Sequence, residues 1–128
     1  MYSLIDTRNR HFMNACQNII SRLDPEKPLN MSEVARLAAE SPAPCYYCTF
    51  EYALRMLRVL RHGKMRLRRD RRLEMWTEIN EKVSRLMEST GYTLQVALAH
   101  VLASASASRF FISPATAYRL ANSLIEKS

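Results

Sequence analysis

Ala43-Pro44-Cys45-Tyr46-Tyr47-Cys48-Thr49-Phe50-Glu51-Tyr52-Ala53-Leu54-Arg55-Met56 aligns without a gap against Ala107-Ser108-Arg109-Phe110-Phe111-Ile112-Ser113-Pro114-Ala115-Thr116-Ala117-Tyr118-Arg119-Leu120, about 64 residues further on. Each copy runs through an aromatic pair, a hydroxyl residue and an Ala-x-Arg-apolar helix start. The same offset pairs Ala35 with Ala99 and Ala39 with Ala103, and a one-residue shift pairs Ser21-Arg22-Leu23 with Ser84-Arg85-Leu86. Self-similarity at a fixed spacing signals one supersecondary unit used twice. The competing reading is chance similarity between alanine-rich helices, since half of the identities are alanines.

Working outward from this pair, each half reads as three helices. Phe12, Cys16, Ile19, Ile20 and Leu23 recur at helical spacing, predicting a helix over 7–23 that the prolines Pro25 and Pro28 end. Asn30 offers an N-cap with Glu33 three residues on, for a helix that turns Val34, Leu37 and Ala38 inward and ends near Glu40. Thr49 caps a third helix, with Ala53, Met56, Leu57 and Leu60 apolar and Gly63 as its stop. In the second half, Asp70 is expected to cap a helix over 71–87 built on Leu73, Trp76, Ile79, Val83 and Leu86, with Gly91 beyond it. Thr93 caps a helix over 94–103, with Leu94, Ala97, Leu98 and Val101 as core residues. Ser113-Pro114 opens the last helix with a cap and a proline at the first helical position; Ala117, Leu120, Ala121 and Leu124 face inward. Arg109-Phe110-Phe111-Ile112 is the best strand candidate, and it is short. The expectation is therefore an all-α fold of two related three-helix units packed as one compact helical domain. The first unit spans 1–63, a basic linker and helix start 64–72, and the second unit 73–128. Each aromatic pair, Tyr46-Tyr47 and Phe110-Phe111, is expected to plug the core of its own unit.

Composition agrees with helix: the 128 residues are 48% hydrophobic, enough for a core, and include only two glycines. No apolar run approaches a membrane span, and the first ten residues lack the layout of a signal peptide, so the cytoplasm is expected. The net charge is +7, and it is unevenly spread. Arg55, Arg58, Arg61, Lys64, Arg66, Arg68, Arg69, Arg71 and Arg72 crowd one stretch opposed only by Asp70. Such a field attracts polyanions and speeds their encounter; the bland alternative is a solvated face. Cys45 and Cys48 have the spacing of half a zinc site, but a second pair is missing, and they align with Arg109 and Ile112. With Cys16 they read as reduced packing cysteines, so neither a metal nor a cofactor is expected. No Gly-rich phosphate loop and no nucleophile with an evident partner appears, so enzymatic activity is not expected.

The segment 93–124 carries a more specific signal. Ser113 caps a helix, Thr116 and Arg119 face outward, Ala117 and Leu120 pack back, and Asn122 and Ser123 continue the polar face. This arrangement resembles the recognition helix of helix-turn-helix DNA-binding modules found in many bacterial repressors. The resemblance implies that the helix enters the major groove, with Arg119 reading guanine edges or holding a phosphate. The connector 104–112 departs from the motif, being longer than its usual three or four residues and lacking glycine. Arg109-Phe110-Phe111-Ile112-Ser113-Pro114 and, more loosely, Pro44 to Thr49 also resemble a Pro-Arg-Phe-Tyr-Val-Ser-Pro-like segment in a family of short uncharacterised bacterial proteins. That likeness implies a repeated module and no activity.

The sequence thus points to a small DNA-binding protein, a transcriptional regulator or an accessory factor of mobile DNA. The track from Arg55 to Arg72 would capture duplex DNA, and Ser113, Thr116, Arg119 and Asn122 would contact it. A homodimer is compatible with this reading. Two alternatives stay open: a helical interaction module that binds an acidic protein through the basic track, and a sequence-independent RNA binder.

Overall fold

Six helices make up the ordered secondary structure of the computed structural model, which describes residues 3–63 and 71–126. They are α1 (Leu4–Ser21), α2 (Met31–Ala39), α3 (Phe50–Arg61), α4 (Arg71–Thr90), α5 (Leu94–Ser104) and α6 (Pro114–Glu126). The all-α expectation holds, and the caps explain the boundaries. The amides of Glu33, Tyr52, Val96 and Thr116 donate to the side-chain oxygens of Asn30, Thr49, Thr93 and Ser113, at 3.2, 3.3, 3.3 and 3.2 Å. Each bond satisfies a donor the first helical turn leaves open. Helix α1 begins three residues before the expected Thr7 because Ser3 caps it, accepting from the Asp6 amide at 3.0 Å. The expected Asp70 cap lies outside the described residues. Gly63 and Gly91 take φ of +68° and +77° just beyond α3 and α4, the left-handed stop that glycine enters freely.

The grouping of the helices differs from the sequence expectation. One compact unit holds α1, α2 and α6, with the chain up to Tyr47 and from Ser106 onward; the other is Cys48–Ala105, with α3, α4 and α5. Each unit combines the first two helices of one half of the sequence with the third helix of the other. The division into 1–63 and 73–128 is therefore corrected. The cause lies in the connector before α6, which is bound to the end of α2. Ala43 and Ala107 exchange both backbone hydrogen bonds at 3.0 Å in an isolated antiparallel bridge, and the Phe110 amide donates to the Ala39 carbonyl at 3.1 Å. The strand candidate Arg109 to Ile112 forms no strand, and the bridge lies two residues before it.

In the first unit α2 packs against both α1 and α6, and α1 against α6. Its core is built by Phe12, Cys16, Val34, Ala35, Ala38, Tyr46, Phe110, Ile112, Ala117, Leu120 and Ala121, all buried. Phe12 meets Phe110 edge to face, with ring centroids 5.4 Å apart. Both aromatic pairs belong to this unit, which corrects the expectation that each plugs a unit of its own: Tyr47 stacks on Phe110 at 6.3 Å, interplanar angle 8°. Phe111 takes φ of 54°, which a bulky side chain seldom adopts, and it turns the chain between buried Phe110 and Ile112. Leu37, expected inside, is exposed.

In the second unit α4 packs against α3 and α5, and α3 against α5. Trp76, Ile79 and Val83 of α4, Ala53 and Leu57 of α3, and Ala97, Leu98 and Val101 of α5 are all buried. The burial pattern repeats across the two halves: Ala43 and Ala107, Tyr46 and Phe110, Ala53 and Ala117, Leu57 and Ala121 are all buried. The expected pairs Ala35 with Ala99 and Ala39 with Ala103 do not follow it, because Ala99 and Ala103 are exposed. Shifted by one residue, Val34, Ala35 and Ala38 match Ala97, Leu98 and Val101, all buried. The change of offset thus falls between Ala38 and Ala43, after the buried residues of the second helices and before the aromatic pairs.

Candidate nucleic-acid interface

Helix α3 owes its two faces to period. Ala53 and Leu57 turn into the core, and the 3.6-residue repeat sends Arg55 and Arg58 to the opposite side, where both are exposed. Neither arginine forms an ion pair with a described carboxylate, although exposed Glu51 lies one turn before Arg55 on the same face. Arg55 is nevertheless fixed. Its guanidinium lies 5.1 Å from the Tyr52 ring centroid, and the Tyr52 ring in turn meets buried Trp76 edge-on at 5.6 Å. Stacking holds the planar group while leaving its N–H donors unused. Sequence reasoning missed Tyr52 as a support, though the spacing of Tyr52 and Arg55 on one helix carries the signal.

The rest of the track divides. Arg61 donates through Nη1 to Asn80 Oδ1 at 2.8 Å and Ser84 Oγ at 3.0 Å, and through Nη2 toward Met87 Sδ at 3.9 Å. It therefore braces α3 on α4, with its donors committed to the protein. Lys64, Arg66, Arg68 and Arg69 lie outside the described residues. Arg71 is described as the first residue of α4 without its side chain, and Arg72 is exposed on the same turn.

Helix α6 belongs to the other unit. Ser113 caps it as expected, but its hydroxyl also donates to Thr116 Oγ1 at 2.8 Å. Thr116 is thus half-buried and engaged in the cap, where an outward-facing reader was expected. Ala117, Leu120 and Ala121 are buried, Arg119 is exposed and Asn122 half-buried. The Ser123 hydroxyl donates back to the Leu120 carbonyl at 2.6 Å. Of the two helices that the resemblance over 93–124 relies on, α5 belongs to one compact unit and α6 to the other, where α6 packs on α2 and α1. A motif of that kind needs its last two helices packed on each other.

One residue that sequence reasoning passed over sits beside α6. Arg8 of α1 is half-buried and grips Asn9 Oδ1 through Nε at 3.2 Å and Nη2 at 2.9 Å. Burial lowers its pKa below the usual guanidinium value, and the positive charge of Arg119 lowers it further.

All three cysteines are free thiols. Burial pushes the Cys16 thiol up to about 11, and burial also raises Cys45. Cys45 and Cys48 fall in different units. Among the described residues no group of three or more His, Cys, Asp or Glu side chains is gathered as a metal site would require, and no helix is long and apolar enough to cross a membrane. No protein-family model matches the chain, no curated protein matches it, and no solved structure matches it.

Proposed function

We propose that this protein binds duplex DNA, holding the phosphate backbone with the arginine face of α3 and the basic segment that continues it to Arg72. The observation that carries this reading is the pair Arg55 and Arg58: exposed, without a carboxylate partner among the described residues, and in the case of Arg55 pre-set by stacking on Tyr52. Duplex DNA presents a phosphate charge about every 1.7 Å of axis, so a rigid cationic helix leading into a dense run of Lys and Arg matches it without needing base contacts. On α6 the exposed polar groups are Tyr118 and Arg119, with Asn122 half-buried, which supports a backbone contact there more than a base-reading one. Binding is accordingly tolerant of sequence, as suits a cytoplasmic accessory factor of DNA transactions or a weakly specific regulator. The same reading takes the two units as copies of one three-helix module, which the matched burial of their aligned residues supports.

The test is titration of a random-sequence duplex, followed by fluorescence anisotropy at low salt. Wild-type protein is expected to bind, and Arg55→Gln with Arg58→Gln is expected to weaken binding to every sequence alike. Equal affinity of the double variant would overturn the assignment of α3.

A further inference from the structure

We propose that the hollow between the α1–α2 loop and α2 binds a free apolar amino acid, with its side chain in the cavity, its carboxylate on Lys27 and its ammonium on Asp24. The cavity measures about 200 Å³ and lies wholly within residues 23–37. Val34, itself buried, lies at its floor, and Leu23, Pro28, Leu29 and Leu37 form its walls. Leu23 and Leu37 continue the apolar periodicity of α1 and α2, yet they stay 41% and 38% exposed, and Leu29 44%. Three leucines around one cavity leave apolar surface in water that a ligand would cover. A cavity of about 150 Å³ lined by aliphatic and aromatic side chains takes up benzene. This one therefore has room for a single leucine- or phenylalanine-sized group and none for the acyl chain of a lipid.

Charge sets what else the ligand carries. The polar residues that line the cavity are Asp24, Lys27, Asn30 and Glu33. Two of them are spent: the Asn30 side-chain oxygen caps α2 by accepting from the Glu33 amide, and Arg36 takes the Glu33 carboxylate. Asp24 and Lys27 are exposed and form no ion pair, with each other or with any other described residue. One carboxylate and one ammonium, too far apart to pair at the edge of an apolar cavity, complement a small molecule that carries both signs itself. The loop that holds them is set in advance. Asp24 Oδ1 accepts from the Glu26 amide at 3.0 Å, and the Lys27 amide donates to the Asp24 carbonyl at 3.1 Å. Pro25 and Pro28 fix φ within the same turn. Asp24 Oδ2 makes no bond to a described residue and is left for the ligand. A fatty acid or a peptide terminus satisfies only one of the two charges.

The experiment titrates the full chain, its leucine methyl groups isotope-labelled, with L-leucine at constant pH and ionic strength. Saturable shifts at Leu29 and Leu37 are expected, with Leu98 in the core of the other unit unmoved. Glycine, which has both charges and no side chain, should give none. N-acetylleucine lacks the ammonium and leucinamide the carboxylate; each should bind more weakly by about threefold or more, the loss of an exposed ion pair. Asp24→Asn keeps the oxygen that accepts from the Glu26 amide, and it should weaken leucine by a similar factor while leaving N-acetylleucine unchanged. Lys27→Gln should weaken leucine and leave leucinamide unchanged. A damaged loop would instead weaken all three ligands together, and that result overturns the two ion pairs. Equal binding of leucine, N-acetylleucine and leucinamide would overturn the site, as would wild-type affinity for leucine in either variant. So would the absence of a saturable shift up to the solubility of leucine. The site shares no residue with α3 and no DNA enters the titration, so its failure leaves the α3 reading untouched, and the converse holds.

Discussion

Arg55 owes its position to a stack of side chains beneath it, Trp76 under Tyr52 and Tyr52 under the guanidinium. Replacing the middle member tests whether that support matters. Tyr52→Leu keeps an apolar side chain against Trp76 and removes the cation–π contact, about 0.5–1 kcal/mol at an exposed site. DNA affinity should fall about two- to fivefold with helicity unchanged, and an unaltered affinity in anisotropy would show that stacking does not pre-set Arg55. The thiols give a second residue-scale test. Cys16 is fully buried, while Cys45 and Cys48 are half-buried, so a thiol reagent near pH 8 should modify two cysteines in the native protein and the third only after unfolding. The alkaline limb of stability follows the same groups. The folded state keeps the Cys16 thiol neutral up to about 11 and raises Cys45 and Tyr47 as well. The unfolded chain ionises these groups first, so stability is retained below about pH 9 and lost as pH rises toward 11. Denaturant midpoints at pH 8 and 10.5 measure this; an equal midpoint at both contradicts it. The residue chemistry was only partly legible in the sequence. Spacing alone exposes Arg55 and Arg58, but Arg61 meets Asn80 and Ser84 across 19 and 23 residues of chain, and no local pattern encodes that.

At the scale of the helix, the sequence speaks through its caps and stops. Asn30, Thr49, Thr93 and Ser113 each cap the helix that their side chains and neighbours predict, and Gly63 and Gly91 close theirs. Ser3 escaped notice because the apolar stripe that announces α1 begins only at Phe12, two turns after the cap. Thr116 was misread for a related reason: a hydroxyl three residues after a Ser cap sits where the cap itself can bond it, and the outward position on the wheel does not reveal this. The cost of breaking a stop is definite. At Gly91 an added Cβ meets nothing within 4 Å, so the penalty is backbone strain alone. Gly91→Ala should lower stability by about 1 kcal/mol, read as a shift in the denaturant midpoint, and an unshifted midpoint would mean that the residue does not hold its left-handed conformation. Helices α3 and α6 start from similar sequences yet carry different surfaces. Arg55 and Arg58 make the first cationic, whereas α6 presents Tyr118 and Arg119 outward over a small-residue face.

The arrangement of the whole chain is where sequence reading and structure part. Six helices and the all-α class follow from periodicity, but which three helices share a core does not. Exchanging the third helices leaves every apolar face buried: Ala53 and Leu57 serve one unit as Ala117 and Ala121 serve the other. A pattern of inward and outward residues is blind to that exchange, because it states that a face is covered and never by which partner. The connector Ala105 to Ser113 decides it, through the bridge between Ala43 and Ala107 and the Phe110 bond to Ala39, and backbone pairing of single residues leaves no periodic trace. Functionally, this grouping puts the arginine face of α3 in one unit and Arg119 of α6 in the other. The central claim, that α3 holds DNA by its phosphates, is tested most directly by the salt dependence of binding. The slope of log affinity against log salt should become shallower by about 0.9 for each phosphate contact removed. Arg55→Gln with Arg58→Gln should therefore flatten it by about two such steps, while Arg61→Gln, whose donors are committed to α4, should leave it close to wild type. A double variant with the wild-type slope would contradict the account.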